Sequence, residues 1–324
     1  MTKRSMITTV ALFVLLAACQ AAPQPADEIQ HIRLPMGYIP NIQYAPFYVA
    51  IERGYFAEAG FEIEFDYSFE TDGVALVGAG EVPFALVSGE QVLLAREQGL
   101  PVVYVAAWWQ EYPVAVVAKI ESGIDAPADL VGKRIGLPGL FGANYIGLRA
   151  LLNEFGIAEG EVTLDSIGFN QVQALAADQV EAVVGYVNNE PVQLVAQGFE
   201  VNVIRVSDYV QLAANGILTS ESMAAEHPEQ VRSFVAAFLQ GLADTIADPE
   251  AAYEISTGYV DTLPEADVAT QKQILALSIE IWNTGALGVS QPEAWENMQA
   301  TLLDMGLLSG QLNLDEAYTN EFLP

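Results

Sequence analysis

From Ile29 onward the chain switches repeatedly between short runs with strand spacing and short runs with helix spacing. This alternation constrains the fold more than any other feature, because strand side chains repeat every two residues and a helix face every about 3.6. Residues 61–67 set Phe, Ile, Phe and Tyr against Glu, Glu and Asp in strict alternation, the pattern of a half-buried strand. Residues 29–36 read as a strand, 38–41 as a loop and 44–53 as a helix stopped by Gly54, where a helix end favours glycine. Short helices are expected over 74–80 and 91–98, around a buried strand at 84–87. Residues 102–107 and 114–118 are apolar enough for central strands. A second unit follows: a turn at 128–133, a strand from Arg134, a loop at 139–143 and a helix over 144–155. It continues with a strand at 162–167, a helix at 171–177 and a strand at 182–186. Near 206–216 the chain returns to the first unit. Helices are then expected over 228–247, 249–260, 265–282 and 291–305, with Pro228, Pro249 and Pro292 where a first helical turn tolerates proline. The alternation predicts an α/β fold with mostly parallel sheets, and ligands of such folds bind at loops beyond the carboxyl ends of the strands.

The length of 324 residues is enough for two domains of ordinary size. The balance of 12 basic against 42 acidic residues argues against nucleic acid, whose affinity comes largely from phosphate neutralisation, and against long-range steering of anions. One cysteine, Cys19, and two histidines, His31 and His227, leave no disulfide framework or Cys-based metal site and little histidine chemistry. No metal or cofactor is expected. Val87-Ser88-Gly89 lacks the first glycine of a nucleophile elbow, and acidic pairs are too plentiful here to mark a glycosidase dyad.

The amino terminus has its own logic. Lys3 and Arg4 precede an apolar run over 6–16, and Leu16-Ala17-Ala18 leads into Cys19. A basic start, an apolar core and a small-residue cleavage site describe a secretory signal peptide, too short to persist as a membrane span. Cysteine directly after Leu-Ala-Ala resembles the bacterial lipobox, in which a thioether to diacylglycerol requires a thiol. The expected processing leaves residues 1–18 as signal peptide, Cys19 lipidated, and 19–28, rich in Ala, Pro and Gln, as a flexible tether. The mature chain would sit outside the cytoplasm, anchored to the membrane through Cys19.

An ordered series of short motifs adds a family. Gly37-Tyr38-Ile39-Pro40-Asn41 precedes Ala45-Pro46-Phe47-Tyr48-Val49-Ala50, then Glu52-Arg53-Gly54-Tyr55-Phe56 and Ala59-Gly60-Phe61-Glu62-Ile63. Val77-Gly78-Ala79-Gly80-Glu81-Val82-Pro83-Phe84-Ala85, Gln98-Gly99-Leu100-Pro101-Val102-Val103 and Asp129-Leu130-Val131-Gly132-Lys133 follow. Over residues 30–240 the chain resembles the periplasmic-type substrate-binding proteins of ABC importers. The nearest branch binds thiamine pyrimidine precursors, riboflavin and related heteroaromatic compounds, with sulfonate and taurine binders as cousins. The resemblance implies two lobes that close on one ligand by a hinge, an ABC permease as partner, and a monomer. Lobe 1 is expected at 29–117 plus 210–324 and lobe 2 at 118–209. Tyr38 stands where the family often has Trp, so an aromatic platform survives while ligand identity shifts.

A flat heteroaromatic ligand calls for aromatic faces and a few fixed polar groups. Tyr38, Asn41 and Tyr44 in the first loop supply both; Asn41 fits the family's ligand-contacting Asn and equally a helix N-cap. Ser88 and Glu90 could serve a ligand carbonyl and ring N–H, or form a cap pair. Trp108 and Trp109 in Trp108-Trp109-Gln110-Glu111-Tyr112 are expected to place at least one ring in the cleft, with Tyr112 beside them. From the second lobe come Phe141, Asn144 and Tyr145 at a helix start, whose free N–H groups can meet a carbonyl or phosphate, and Tyr186, Asn189 and Glu190. Trp282 and Trp295 are expected to pack.

These candidates are nearly empty of Lys and Arg, which favours a neutral, flat ligand over a sulfonate. Riboflavin is the first expectation and a thiamine pyrimidine precursor, formylaminopyrimidine or hydroxymethylpyrimidine, the second. An enzyme making that pyrimidine on the same scaffold is the rival, associated in the family with a Cys- and His-bearing loop that this body cannot supply. The anchor makes a direct prediction: Cys19→Ala moves the protein from the membrane to the soluble fraction, and unchanged membrane association overturns it.

Overall fold

The computed structural model describes residues 29–324. Residues 1–28, on which the expected signal peptide, lipidated Cys19 and tether fall, lie outside the described residues.

Among the described residues ten strands form three sheets. β1 (Gln30–Pro35) and β2 (Phe61–Asp66) pair in parallel, Gln30 opposite Phe61 and Pro35 opposite Asp66. β3 (Phe84–Val87) and β4 (Val102–Ala107) do not touch each other in a ladder. The strand between them is β10 (Gly216–Ser220), antiparallel to both. All of β10 is buried, so the first lobe acquires its central strand only after the chain has built the second lobe and come back. The third sheet, that of the second lobe, runs β7 (Thr163–Ser166), β6 (Arg134–Leu137), β8 (Ala182–Tyr186), β5 (Val114–Lys119), β9 (Val201–Arg205).

Two expectations change here. The sheets are mixed rather than mostly parallel, because β5 runs antiparallel to β8 and β9, and β10 to β3 and β4. Strand β5, expected to close the first lobe, is hydrogen-bonded inside the sheet of the second, so the first crossing falls at 108–113, not near Val117. Its uniformly apolar sequence reads the same in either sheet. β9, unforeseen, supplies the edge. The chain passes back from β9 to β10 over 206–215, and the two crossings are bound together: the Trp108 and Trp109 backbone N–H groups both donate to the Asn215 carbonyl, at 3.0 and 3.1 Å.

The carboxy-terminal helices complete the first lobe. Pro228–Ala247 packs along Ala45–Glu52, with Phe238 stacked on Phe47 and Phe234 stacked on Phe84, 3.9 Å between centroids. Phe56 and Phe61 close around the same Phe234 ring. Trp282, at the end of Val268–Trp282, packs on Trp108 and Trp109, and Trp295 lies between Tyr104 and Tyr318. Both are core residues, as read from the sequence. Phe234 is fully buried, its ring packed against Phe56, Phe61 and Phe84 from three other elements. Phe234→Ala is therefore expected to cost about 3–5 kcal/mol in reversible denaturant unfolding; a loss within about 1 kcal/mol would show that the helix is held elsewhere.

Candidate functional site

Between the lobes lies a cleft enclosing about 900 Å³, its open mouth included. It sits where strand-end loops of both lobes face the crossings, as an α/β fold places its ligand. Its walls are mostly rings. On the floor Tyr44 stacks on Trp108 at 5.4 Å, Trp108 leans on Trp109, and Trp109 meets the edge of Tyr186 at 5.7 Å. The Tyr44 hydroxyl is spent on the Met36 carbonyl at 2.7 Å, which fixes the ring rather than offering a polar group. At the mouth, rings from the two lobes touch directly: Tyr38 against Phe169 at 4.7 Å, and Phe69 against both Phe169 and Phe141. Phe69 and Phe141 are each nearly half exposed, an unusual state for phenylalanine on a free surface.

Polar groups interrupt the rings at a few points. Gln43, Glu70, Gln91, Asn144, Gln171, Asn189, Glu190 and Asn215 line the cleft, and among the described residues no lysine, arginine or histidine does. The indole nitrogens of Trp108 and Trp109 and the Oδ1 atom of Asn144 are buried without a partner among the described residues. Buried polar atoms are rarely left so in a finished protein. All three atoms belong to residues that line the cleft.

Two acids are seated by glycines. Gly37 has a left-handed backbone, φ +81°, and any Cβ there would stand 2.7 Å from Cγ of Glu70. Gly185, at the end of β8, leaves the space into which the Glu190 carboxylate folds; a Cβ there would lie 2.5 Å from Oε2. Glu190 Oε2 accepts from the Tyr186 N–H at 2.7 Å and Oε1 from Asn189 Nδ2 at 3.1 Å. Burial outweighs these donors and pushes Glu190 up to about 7. Burial, with the Glu190 charge in support, also raises the Tyr38 phenol.

Of the residues singled out from sequence, Tyr38, Tyr44, Trp108, Phe141, Asn144, Tyr186, Asn189 and Glu190 line this cleft. Trp109 joins Trp108 on the wall, so both rings of the pair are there, and both are buried. Others stand elsewhere. Asn41 caps the 3-10 turn Ile42–Tyr44, its Oδ1 accepting from the Gln43 N–H at 3.0 Å, and faces a neighbouring groove. Tyr112 is buried, its hydroxyl donating to the Ala143 carbonyl at 2.8 Å. Tyr145 points to a separate groove and bonds Glu159 and Arg149. Ser88 and Glu90 are fully buried one layer beneath the wall. Sequence reading missed Glu70, Phe69, Phe169 and Asn215. The helix expected to begin at Val74 begins at Glu70, which brings its first turn to the cleft. An acid at a helix start was the available signal, since the amino-terminal turn favours negative charge.

A family model described as NMT1/THI5 like matches residues 41–252. The chain belongs to that family. Among its relatives is the riboflavin-binding protein RibY of Chloroflexus aurantiacus, 43% identical over 318 residues that cover 95% of this chain and 91% of the relative. Another is a formylaminopyrimidine-binding protein of Halalkalibacterium halodurans, 28% identical, covering 90% of this chain and 91% of the relative. Among solved structures, the alkanesulfonate-binding protein SsuA of Xanthomonas axonopodis pv. citri superposes with a TM-score of 0.71 at 16% identity, over 91% of this chain and all of that one. This family member therefore has the two-lobe periplasmic-binding-protein fold, and its role is to bind a substrate.

The buried Glu190 links this cleft to pH. Between its ordinary value of 4.5 and about 7 the folded protein retains a proton that the unfolded chain has lost, so stability falls as pH rises through that window. Urea unfolding from pH 5 to pH 8 should show Glu190→Gln removing on the order of 2 kcal/mol of that decline. An unaltered slope would mean that Glu190 is ionised in the folded state.

Proposed function

We propose that this protein is the lipid-anchored substrate-binding component of an ABC importer, working as a monomer outside the cytoplasm and capturing riboflavin. The observation that carries the reading is a cleft walled by aromatic rings from both lobes and lined by amides and acids with no cation. Flat faces suit an aromatic ring system, and the amides and acids of the lining suit its edge atoms. A sulfonate or phosphate would meet Glu70 and Glu190 without an arginine or lysine to hold it. RibY, named as a riboflavin-binding protein, supports the choice. A thiamine pyrimidine precursor is the second reading, supported by the formylaminopyrimidine-binding relative.

In this reading Tyr38, Tyr44, Trp108, Phe141, Tyr186 and their neighbours stack on the ligand, and Asn144, Asn189 and Glu190 meet its edges. Capture is lobe closure about the paired crossings, followed by docking of the closed form on the permease. Binding without conversion is the reading that the riboflavin-binding relative RibY supports. The described residues contain no cysteine, and His31 and His227 are both exposed and away from the cleft.

Purified protein should show a co-purified yellow chromophore or quench added riboflavin saturably at one site, with an alkanesulfonate failing to compete. Phe141→Ala and Phe169→Ala, partly exposed positions, should each weaken binding about tenfold, or about 1.4 kcal/mol. Displacement by formylaminopyrimidine at lower concentration than riboflavin would select the second reading, and turnover of either compound would overturn binding alone.

A further inference from the structure

Beneath the floor of the cleft three side chains raise a question of proton count. Glu70 Oε2 lies 2.5 Å from the Ser88 hydroxyl, and the same hydroxyl is in hydrogen-bond contact with Glu90 Oε1. Ser88 has one hydroxyl proton and cannot donate to two carboxylates at once. For both contacts to be hydrogen bonds, one carboxyl must carry a proton. The surroundings distinguish the two acids. Glu70 is served by other donors: the Ser88 N–H reaches Oε2 at 2.9 Å and Asn215 Nδ2 reaches Oε1 at 2.7 Å. Glu90 has a long contact from Gln91 Nε2, 3.3 Å to Oε1, and its own backbone N–H, and its Oε2 is buried with no partner among the described residues. Burial raises both acids, but an oxygen already receiving N–H donors is a poor place for a proton, and the carboxyl poorer in donors is the costlier place for a charge.

We propose that Glu90 is a positioning residue for ligand recognition: it is held as the carboxylic acid, donates to Ser88, and thereby makes the Ser88 hydroxyl a donor that fixes Glu70 as the carboxylate at the cleft wall. Three donors then hold Glu70, from Ser88 twice and Asn215 once, and what it presents to the cleft is acceptor capacity alone. The ligand edge that fits is a ring N–H or an exocyclic amine; an anionic edge is repelled. Specificity for a neutral, N–H-bearing heteroaromatic compound thus depends on a proton stored one layer below the contact surface. The inference rests on the cleft being the ligand site.

The charges around Glu90 fit this assignment. The groups facing it are Glu70 and the phenols of Tyr104, Tyr112 and Tyr186, none of them a cation. Arg96, on the same helix, is turned to Glu221 and Glu316, Arg149 on the packed helix Gly142–Glu154 pairs with Glu159, and the remaining acids of the helices against it are exposed. Burial, and next the charge of Glu70, push Glu90 up to about 8. The Tyr186 hydroxyl donates to Asn215 Oδ1 at 2.8 Å, so the same chain of hydrogen bonds runs from Glu90 to the second lobe.

Carboxyl carbon shifts of uniformly ¹³C-labelled wild-type protein, assigned through the backbone, test the proton directly. At pH 6.5 Glu90 should show the acid shift and Glu70 the carboxylate shift, with Glu90 titrating near pH 8; the reverse assignment, or two carboxylates, overturns the proposal. Riboflavin titrations test the consequence. Wild-type affinity should fall about tenfold by pH 9, one unit above the Glu90 midpoint, Glu90→Gln should flatten that profile, and Glu90→Ala should not restore what Glu90→Gln does. Binding with a flat wild-type profile removes the positioning role. Failure of riboflavin to bind at any pH rejects the ligand reading, and with it the recognition role, while the carbon shifts still decide where the proton sits.

Discussion

Asn215 holds the molecule's two crossings and its cleft in one set of hydrogen bonds. Its carbonyl takes the N–H groups of Trp108 and Trp109, which pins the outgoing crossing to the returning one. Its side chain bridges Tyr186, from the second lobe, and Glu70, from the first. One residue later the chain enters β10, the buried central strand of the first sheet. Backbone groups at such a crossing must find partners because no sheet or helix supplies them there. Closing the crossings on each other satisfies that demand and at the same time fixes the two tryptophans and two polar side chains that form the floor.

The aromatic content of the cleft follows from the same economy. Trp108 and Trp109, adjacent on the outgoing crossing, both lie over Trp282, with Tyr44 stacked on one side and Tyr186 edge-on at the other. The rings serve as the core of the hinge region and as the wall of the cleft. The mouth is different in kind: Phe69, Phe141 and Phe169 meet across the lobes while remaining partly exposed, so their contacts depend on lobe position in a way that the floor does not.

Much of the fold was legible because its elements carry strong local signals. The helix Pro228–Ala247 and the strands Phe84–Val87, Val102–Ala107 and Ala182–Tyr186 fall where their proline, glycine and apolar patterns put them. Sheet membership was not legible. A run such as Val-Ala-Val-Val-Ala is equally content beside any apolar neighbour, and nothing local told β5 to leave the first lobe. The cleft was legible where loops follow strands, as at Tyr38, Phe141 and Tyr186 to Glu190. It was obscure where the informative residue begins a helix, as Glu70 does, or ends a crossing, as Asn215 does.

Residue chemistry by itself pointed to a site built on stacking. A body with few cations and many aromatic rings has much to stack on, wherever the chain goes. Composition also set the terms of the amino terminus, through a single thiol after Leu-Ala-Ala. Tertiary structure alone decided which acids matter. The chain has 42 acidic residues, and sequence distance gives no hint that Glu70, Ser88 and Glu90 converge on Asn215, more than a hundred residues away. Burial and donor count, which exist only in the fold, separate an acid that presents a carboxylate from one that keeps its proton.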